Sequence, residues 1–313
     1  MRSGTPYRSL WRRSESMHSE ACKALRRQGY QFVSPSSSAA VKPCMWNKRA
    51  LRGGEMCYKA QFYGIESHRC VQMTPTLRCN QQCLFCWRSF EHEVVEEEEC
   101  PPAEIIGNLR RLQKRALSGY KVSPYVTPER FAEALRPTMV AISLSGEPTC
   151  YSHLPELIDG LNAEGYTTFL VSNGTRPDVL ARCRPYQVYV SLDAPDRETY
   201  LGLCRPREDY WDLVQESLAG LAGRRSAIRT TVVRGYNDFA PERYAAIYQD
   251  SGARFVEVKG YMYLGYSRNR LQRDQMPEHR DVRAFAAKIA DHCDYFIKDE
   301  SPVSRVVCLE RNV

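Results

Sequence analysis

Six of the thirteen cysteines in this chain fall between Cys44 and Cys86, in two sets of three. Cys79, Cys83 and Cys86 are spaced C-x3-C-x2-C within Arg78-Cys79-Asn80-Gln81-Gln82-Cys83-Leu84-Phe85-Cys86-Trp87. Cysteine thiolates hold iron–sulfur clusters, and four of them close a [4Fe–4S] cube. Three ligands on one tight loop leave an iron open, as the free position of a catalytic zinc admits a substrate. An open iron can bind a small chelating molecule and pass it an electron. A zinc site built from the same cysteines with His92 or His68 is the competing reading. Cys44, Cys57 and Cys70 form the second set, C-x12-C-x12-C, and thiolates at this density again select iron–sulfur or zinc. Lys59 follows Cys57 by two residues. A lysine amine becomes a nucleophile when burial or a neighbouring cation lowers its pKa, and it then forms a Schiff base with a ketone. Lys48 lies between two of the same cysteines and is the alternative lysine.

These residues need a scaffold, and the pattern downstream supplies one. Apolar strand-like runs alternate with helical patterns, the sign of βαβ units and a parallel sheet. The runs are Cys70–Thr76, Met139–Leu144, Thr167–Ser172, Val188–Leu192, Ile228–Val233 and Phe255–Lys259. In parallel barrels chemistry gathers at the C-terminal ends of strands. Cys79–Cys86 follow the first run directly. The second ends in Ser145-Gly146-Glu147, the third in Ser172-Asn173-Gly174, and the fourth carries Ser191 and Asp193. Short polar side chains and one carboxylate at such ends suit a small-molecule pocket, although Asn-Gly is equally a turn pair. The stretch Lys259–Arg270 interleaves tyrosines with arginines, a composition suited to stacking on RNA bases and pairing with phosphates.

The 313 residues are 43% hydrophobic and 26% charged, which is ordinary for a globular chain and excludes a disordered one. No apolar run is long enough to span a bilayer, and the N-terminus lacks the apolar core of a secretory signal. Thirteen cysteines in a reducing compartment favour metal ligation over disulfides, so a cytoplasmic protein, read as a monomer, is expected. The net charge of +7 permits a polyanionic partner without requiring one. Glu15–Gln28 reads as a helix, 34–40 as a linker, Ala103–Leu117 as an amphipathic helix and Glu278–Asp291 as a terminal helix. The acidic run Glu91, Glu93 and Glu96–Glu99 reads as a solvated loop.

The C-x3-C-x2-C motif with Phe85 before its last cysteine resembles the radical S-adenosylmethionine (SAM) superfamily. That resemblance implies a partial (βα)6 barrel, a [4Fe–4S] cluster on Cys79, Cys83 and Cys86, and SAM on its open iron. Ser145, Gly146 and Glu147 stand where the superfamily has Gly-Gly-Glu, with Ser145 replacing the first glycine; Ser172, Asn173, Ser191 and Asp193 would complete the cofactor pocket. The second set, with Cys57-Tyr58-Lys59-Ala60-Gln61-Phe62-Tyr63-Gly64-Ile65-Glu66-Ser67-His68-Arg69-Cys70, resembles the radical SAM enzymes of wybutosine synthesis over roughly residues 40–275. Those enzymes are tRNA 4-demethylwyosine synthases, and the archaeal form lacks a flavodoxin-like domain. The resemblance implies a second [4Fe–4S] cluster on Cys44, Cys57 and Cys70. It further implies pyruvate held at Lys59, 1-methylguanosine of tRNA(Phe) as substrate and an external electron donor. The segments expected are a tail and helix at 1–40, a second-cluster segment at 41–70, the barrel at 71–275 and a C-terminal helix and tail at 276–313. Another radical SAM enzyme, such as an activase or a peptide or RNA modifier, is the alternative within the superfamily. A non-enzymatic iron–sulfur or zinc protein that binds RNA is the alternative outside it.

Overall fold

The computed structural model describes residues 22–90 and 98–312. His92 and most of the acidic run therefore lie outside the described residues, as does the first part of the Glu15–Gln28 helix, of which residues 22–27 are helical. Ten strands form one sheet among the described residues, in the order β1-β2-β3-β4-β5-β6-β7-β8-β10-β9. They are β1 Gln31–Phe32, β2 Ala40–Val41, β3 Cys70–Thr74, β4 Met139–Ile142, β5 Thr167–Ser172, β6 Gln187–Ser191, β7 Ser226–Val232, β8 Phe255–Gly260, β9 Tyr295–Ser301 and β10 Val306–Arg311. Strands β3 to β8 are parallel neighbours in chain order. These are the six expected runs, their ends displaced by up to two residues. Parallel neighbours need a crossover, and helices such as Pro102–Leu117, Leu154–Ala163 and Pro241–Ser251 provide them.

Alternation along the strands divides the interior in two. Val140, Ile142, Leu170, Val188, Val190, Ile228, Val256 and Val258 turn outward and meet the apolar stripes of the crossover helices. Pro102–Leu117 contributes Ile105, Leu109 and Leu112 to that layer, while Arg110 on the same helix donates to the Tyr166 hydroxyl at 3.1 Å. The alternate residues Met139, Ala141, Phe169, Tyr189, Ala227 and Phe255 form the inner face, and the helix Tyr58–Tyr63 packs against it through Tyr58 and Phe62. The sheet thus curls around a short helix that carries Lys59.

Two expectations change. Residues 37–41, within and just beyond the expected linker, are buried, because β2 pairs with β3 at the sheet edge. Beyond the helix His279–Ala290, the C-terminal residues form β9 and β10, and β10 pairs antiparallel with β8. No helix among the described residues is long and apolar enough to cross a membrane.

Candidate active site

The loop after β3 carries Cys79, Cys83 and Cys86, and contacts from four directions hold it. Gly146 has φ +70°, and a Cβ there would lie 2.4 Å from Thr76 O and 2.6 Å from Arg78 O, so only glycine permits this approach. The next residue, Glu147, donates its N–H to Arg78 O at 2.7 Å. On the opposite side Tyr266 N donates to Trp87 O at 2.9 Å, beside Gly265 at φ +61°. Gln82 N and Leu84 N donate to the carbonyls of Cys204 and Leu203. Arg270 donates to the carbonyls of Leu84, Cys86 and Arg88 while lying 4.1 Å from the centre of the Phe90 ring. Of the two arginines in the Lys259–Arg270 stretch, Arg270 thus clamps the cysteine loop, while Arg268 is exposed. Tyr261 is buried, its hydroxyl bonded to Ser267, whereas Tyr266 lines the cavity over the loop.

That cavity has a volume of about 860 Å³ and is lined among others by Cys79, Cys86, Ser145, Gly146, Arg176 and Arg207. Burial, and then the Glu147 carboxylate, push the Cys79 thiol up. Cys83 is raised first by its hydrogen bond with Cys204 and then by burial. Cys204, outside both cysteine sets, thus stands against the motif. A bound metal cation would hold these thiols as thiolates.

The polar strand ends converge behind the loop, and much of their hydrogen-bonding capacity is already satisfied. Glu147 is 3% exposed; its Oε1 accepts from Thr149 N at 3.0 Å, Thr149 Oγ1 at 2.8 Å and Ser172 Oγ at 2.7 Å. Its Oε2 accepts from Asn173 N at 2.7 Å and retains a lone pair. Burial raises its pKa, opposed by these donors. Asn173 also makes the expected turn contacts to Thr175, and its Nδ2 donates to Asn80 of the cysteine loop at 2.8 Å. Ser145 shares a hydrogen bond of 2.9 Å with Tyr30. Ser191 and Asp193 line a separate small cleft with Gln81 and Cys204. Asp193 accepts from Thr231 N at 2.6 Å, and burial pushes its pKa up to about 6.

The second set of cysteines sits at the other end of β3. Cys44 caps the helix Met45–Leu51, its sulfur accepting from Asn47 N; Cys57 precedes the helix Tyr58–Tyr63; and Cys70 opens β3. Asn47 Nδ2 ties the Cys44 helix to the Cys70 segment by donating to the carbonyls of Ser67, His68 and Cys70 at 3.1–3.2 Å, and Cys57 N donates to Ser67 Oγ at 2.9 Å. Burial, and then Cys44, push Cys57 up to about 11 and Cys70 up to about 12. Lys59 enters the inner face, its Nζ 4.1 Å from the centre of the Tyr189 ring and 5.0 Å from that of Phe169. Burial and then the Arg229 charge lower its pKa. Lys48, by contrast, lies half-buried on the helix Met45–Leu51.

A buried ion pair anchors this arrangement, and sequence reading missed it. Arg229 on β7 reaches Glu257 on β8 at 2.9 Å and donates to the Tyr58 hydroxyl at 2.8 Å. Glu257 also accepts from Tyr58 at 2.9 Å and Tyr63 at 2.8 Å, so both ends of the lysine helix are pinned to one carboxylate. Burial pushes that carboxyl up, but Arg229 and Lys59 outweigh it and hold it low. The available signal was a charge flanked by apolar residues in each of two strands, Ile228-Arg229-Thr230 and Val256-Glu257-Val258.

The donor set bears on the two metal readings. Among the described residues no three Cys, His, Asp or Glu side chains close around a single ion. His68 instead pairs with Glu133 at 2.8 Å. Three thiolates on one loop, with His68 taken by Glu133, are the donor set of an iron–sulfur cluster with one open iron.

A partial barrel with this loop behind its first parallel strand defines a radical SAM protein, and residues 73–246 match the radical SAM superfamily model. Residues 250–311 match the model for wyosine base formation. The chain is 42% identical to the S-adenosyl-L-methionine-dependent tRNA 4-demethylwyosine synthase of Pyrococcus horikoshii, over 95% of this chain and 90% of that one. It is 38% identical to that of Methanocaldococcus jannaschii, over 93% and 96%. A structure of TYW1 with a lysine–pyruvate adduct bound superposes with a TM-score of 0.86 at 38% identity, covering 93% of this chain and 95% of that one. The chain belongs to the tRNA 4-demethylwyosine synthase family. It is thus a radical SAM enzyme of wybutosine formation, with SAM and a [4Fe–4S] cluster as cofactors. That membership sets aside the activase and the non-enzymatic readings.

Proposed function

We propose that the chain condenses pyruvate with 1-methylguanosine beside the anticodon of tRNA(Phe), forming 4-demethylwyosine. A cluster on Cys79, Cys83 and Cys86, when bound, supplies the electron that splits SAM into methionine and the radical that attacks the N-methyl group. Glu147, through its free lone pair on Oε2, receives the SAM amino group; Ser145, Gly146, Ser172 and Asn173 shape the adjoining wall, and Ser191 and Asp193 its far end. Cys44, Cys57 and Cys70 hold a second [4Fe–4S] cluster. Lys59 binds pyruvate: its amine, whose pKa is lowered by burial and then by Arg229, forms an imine at the ketone carbon with loss of one water. The observation that carries this reading is the burial of Lys59 in the inner face beside Cys57 and Cys70. The lysine–pyruvate adduct of the TYW1 structure supports it. The segments 1–40, 41–70, 71–275 and 276–313 then serve as tail and helix, second-cluster segment, barrel and C-terminal extension. An external donor reduces the enzyme, which we take to act as a cytoplasmic monomer.

The test is an anaerobic assay with dithionite, SAM, pyruvate and tRNA(Phe) bearing 1-methylguanosine, followed by nucleoside mass analysis. The expected product needs pyruvate and disappears in Lys59→Ala. Iron should fall from about eight to about four per chain when Cys44, Cys57 and Cys70 are replaced by alanine. A product formed by Lys59→Ala, or iron unchanged in the triple variant, would overturn the corresponding assignment.

A further inference from the structure

A hydroxyl buried without a hydrogen bond costs about 1–3 kcal/mol, so such a group in a packed core calls for a reason. Tyr189 on β6 is fully buried, and its Oη has no hydrogen-bond partner among the described residues. Tyr58 and Tyr63 on the same inner face both donate to Glu257. The Tyr63 hydroxyl beside it already donates its proton to Glu257 and has none to give Tyr189. The Tyr189 ring carries two cations, Lys59 Nζ at 4.1 Å and the Arg229 guanidinium carbon at 5.0 Å from its centre. A phenylalanine would offer the same ring face to both cations without stranding a hydroxyl. The ring therefore accounts for the cation contacts and leaves the hydroxyl unexplained.

We propose that Tyr189 Oη is the proton donor to the ketone oxygen when Lys59 forms its imine with a short 2-oxo acid. The proposal rests on Lys59 being the residue that binds the acid. The amine lone pair forms the C–N bond, and the C=O π pair moves onto oxygen, which takes the Tyr189 proton. The nitrogen then returns a proton to the phenolate. In the second half the same exchange protonates the oxygen again, the C–O bond breaks, and water leaves. Two N–H protons thus end on one water, with Tyr189 regenerated and nothing oxidised or reduced. Burial and the Glu257 charge keep the hydroxyl protonated between turnovers, and Arg229 beside the ring offsets part of the cost of the transient phenolate.

The test is reductive trapping of the iron-loaded enzyme with pyruvate under saturating cyanoborohydride, so that imine formation limits the rate. The adduct is read by mass on the peptide containing Lys59. Tyr189→Phe, which keeps the ring face, should slow trapping about 100-fold at unchanged iron content and with a melting temperature no lower than that of the wild type. Tyr189→His, which restores a donor, should recover part of the loss; recovery also decides the matter should Tyr189→Phe lose iron. Equal rates for wild type and Tyr189→Phe would overturn the proposal, as would Tyr189→His no faster than Tyr189→Phe. A wild-type enzyme that traps no pyruvate would instead overturn the assignment of Lys59 itself.

Discussion

At the scale of single residues, the site combines buried charges whose protonation is set by their surroundings. Asp193 is the case with a direct consequence for stability. Burial pushes its carboxyl up to about 6, well above the ordinary aspartate range. The folded state therefore retains a proton that the unfolded chain releases. This contribution is fully present below the ordinary range and is lost as pH rises through about 6. Asp193→Asn, which can still accept from Thr231 N, should be nearly neutral at pH 4 and stabilising by about 2 kcal/mol at pH 7. Thermal melts of the two proteins across that window check it; a difference independent of pH would show that folding leaves the Asp193 pKa unshifted.

At the scale of elements, the cysteine loop owes its path to other strand ends rather than to its own residues. Gly146 reaches it from the end of β4, while Arg270 and Gly265 reach it from the segment after β8. An alanine Cβ at Gly265 would lie 2.2 Å from Trp87 O, and φ there is +61°. The left-handed conformation alone costs alanine about 1–2 kcal/mol, and the backbone clash adds to it. Gly265→Ala should therefore displace Trp87 and loosen the three thiolates while leaving the barrel folded. Iron per chain after anaerobic reconstitution should drop while the far-ultraviolet circular dichroism is retained. Full iron occupancy in the variant would mean that the segment after β8 does not set the loop.

At the scale of the whole molecule, the inner face is closed by chain from both termini. The helix Tyr58–Tyr63 comes from before β3, and Val306 and Cys308 on β10 complete the same cluster from the other end. Strand β10 covers β8 in register from Phe255 to Lys259, which includes Glu257. Deleting residues 294–313 would uncover this edge and the Glu257 network together, and an uncovered edge strand invites association. The truncated chain should lose its cooperative melting transition and elute as aggregates in size-exclusion chromatography. A monomer that melts normally would show that the six parallel strands stand alone.

Local pattern was enough to specify the chemistry and the frame. Cysteine spacing is a property of a few neighbouring residues, so the radical SAM loop was legible before any fold was known. The six parallel strands were legible because apolar runs alternate with helical periods. The ends of strands and the pairing of β9 and β10 were not, because a run of alternating residues does not say which strand it joins. Lys59 could be ranked above Lys48 by resemblance, but only the tertiary structure buries one and leaves the other half-buried. Tyr58 and Glu257 are separated by 199 positions and Arg270 and Cys86 by 184. No local periodicity links such residues. They meet because the sheet curls and brings alternate side chains of distant strands onto one inner face. That curl separates the phenol of Tyr189, left without a hydrogen bond, from those of Tyr58 and Tyr63, which are held by Glu257.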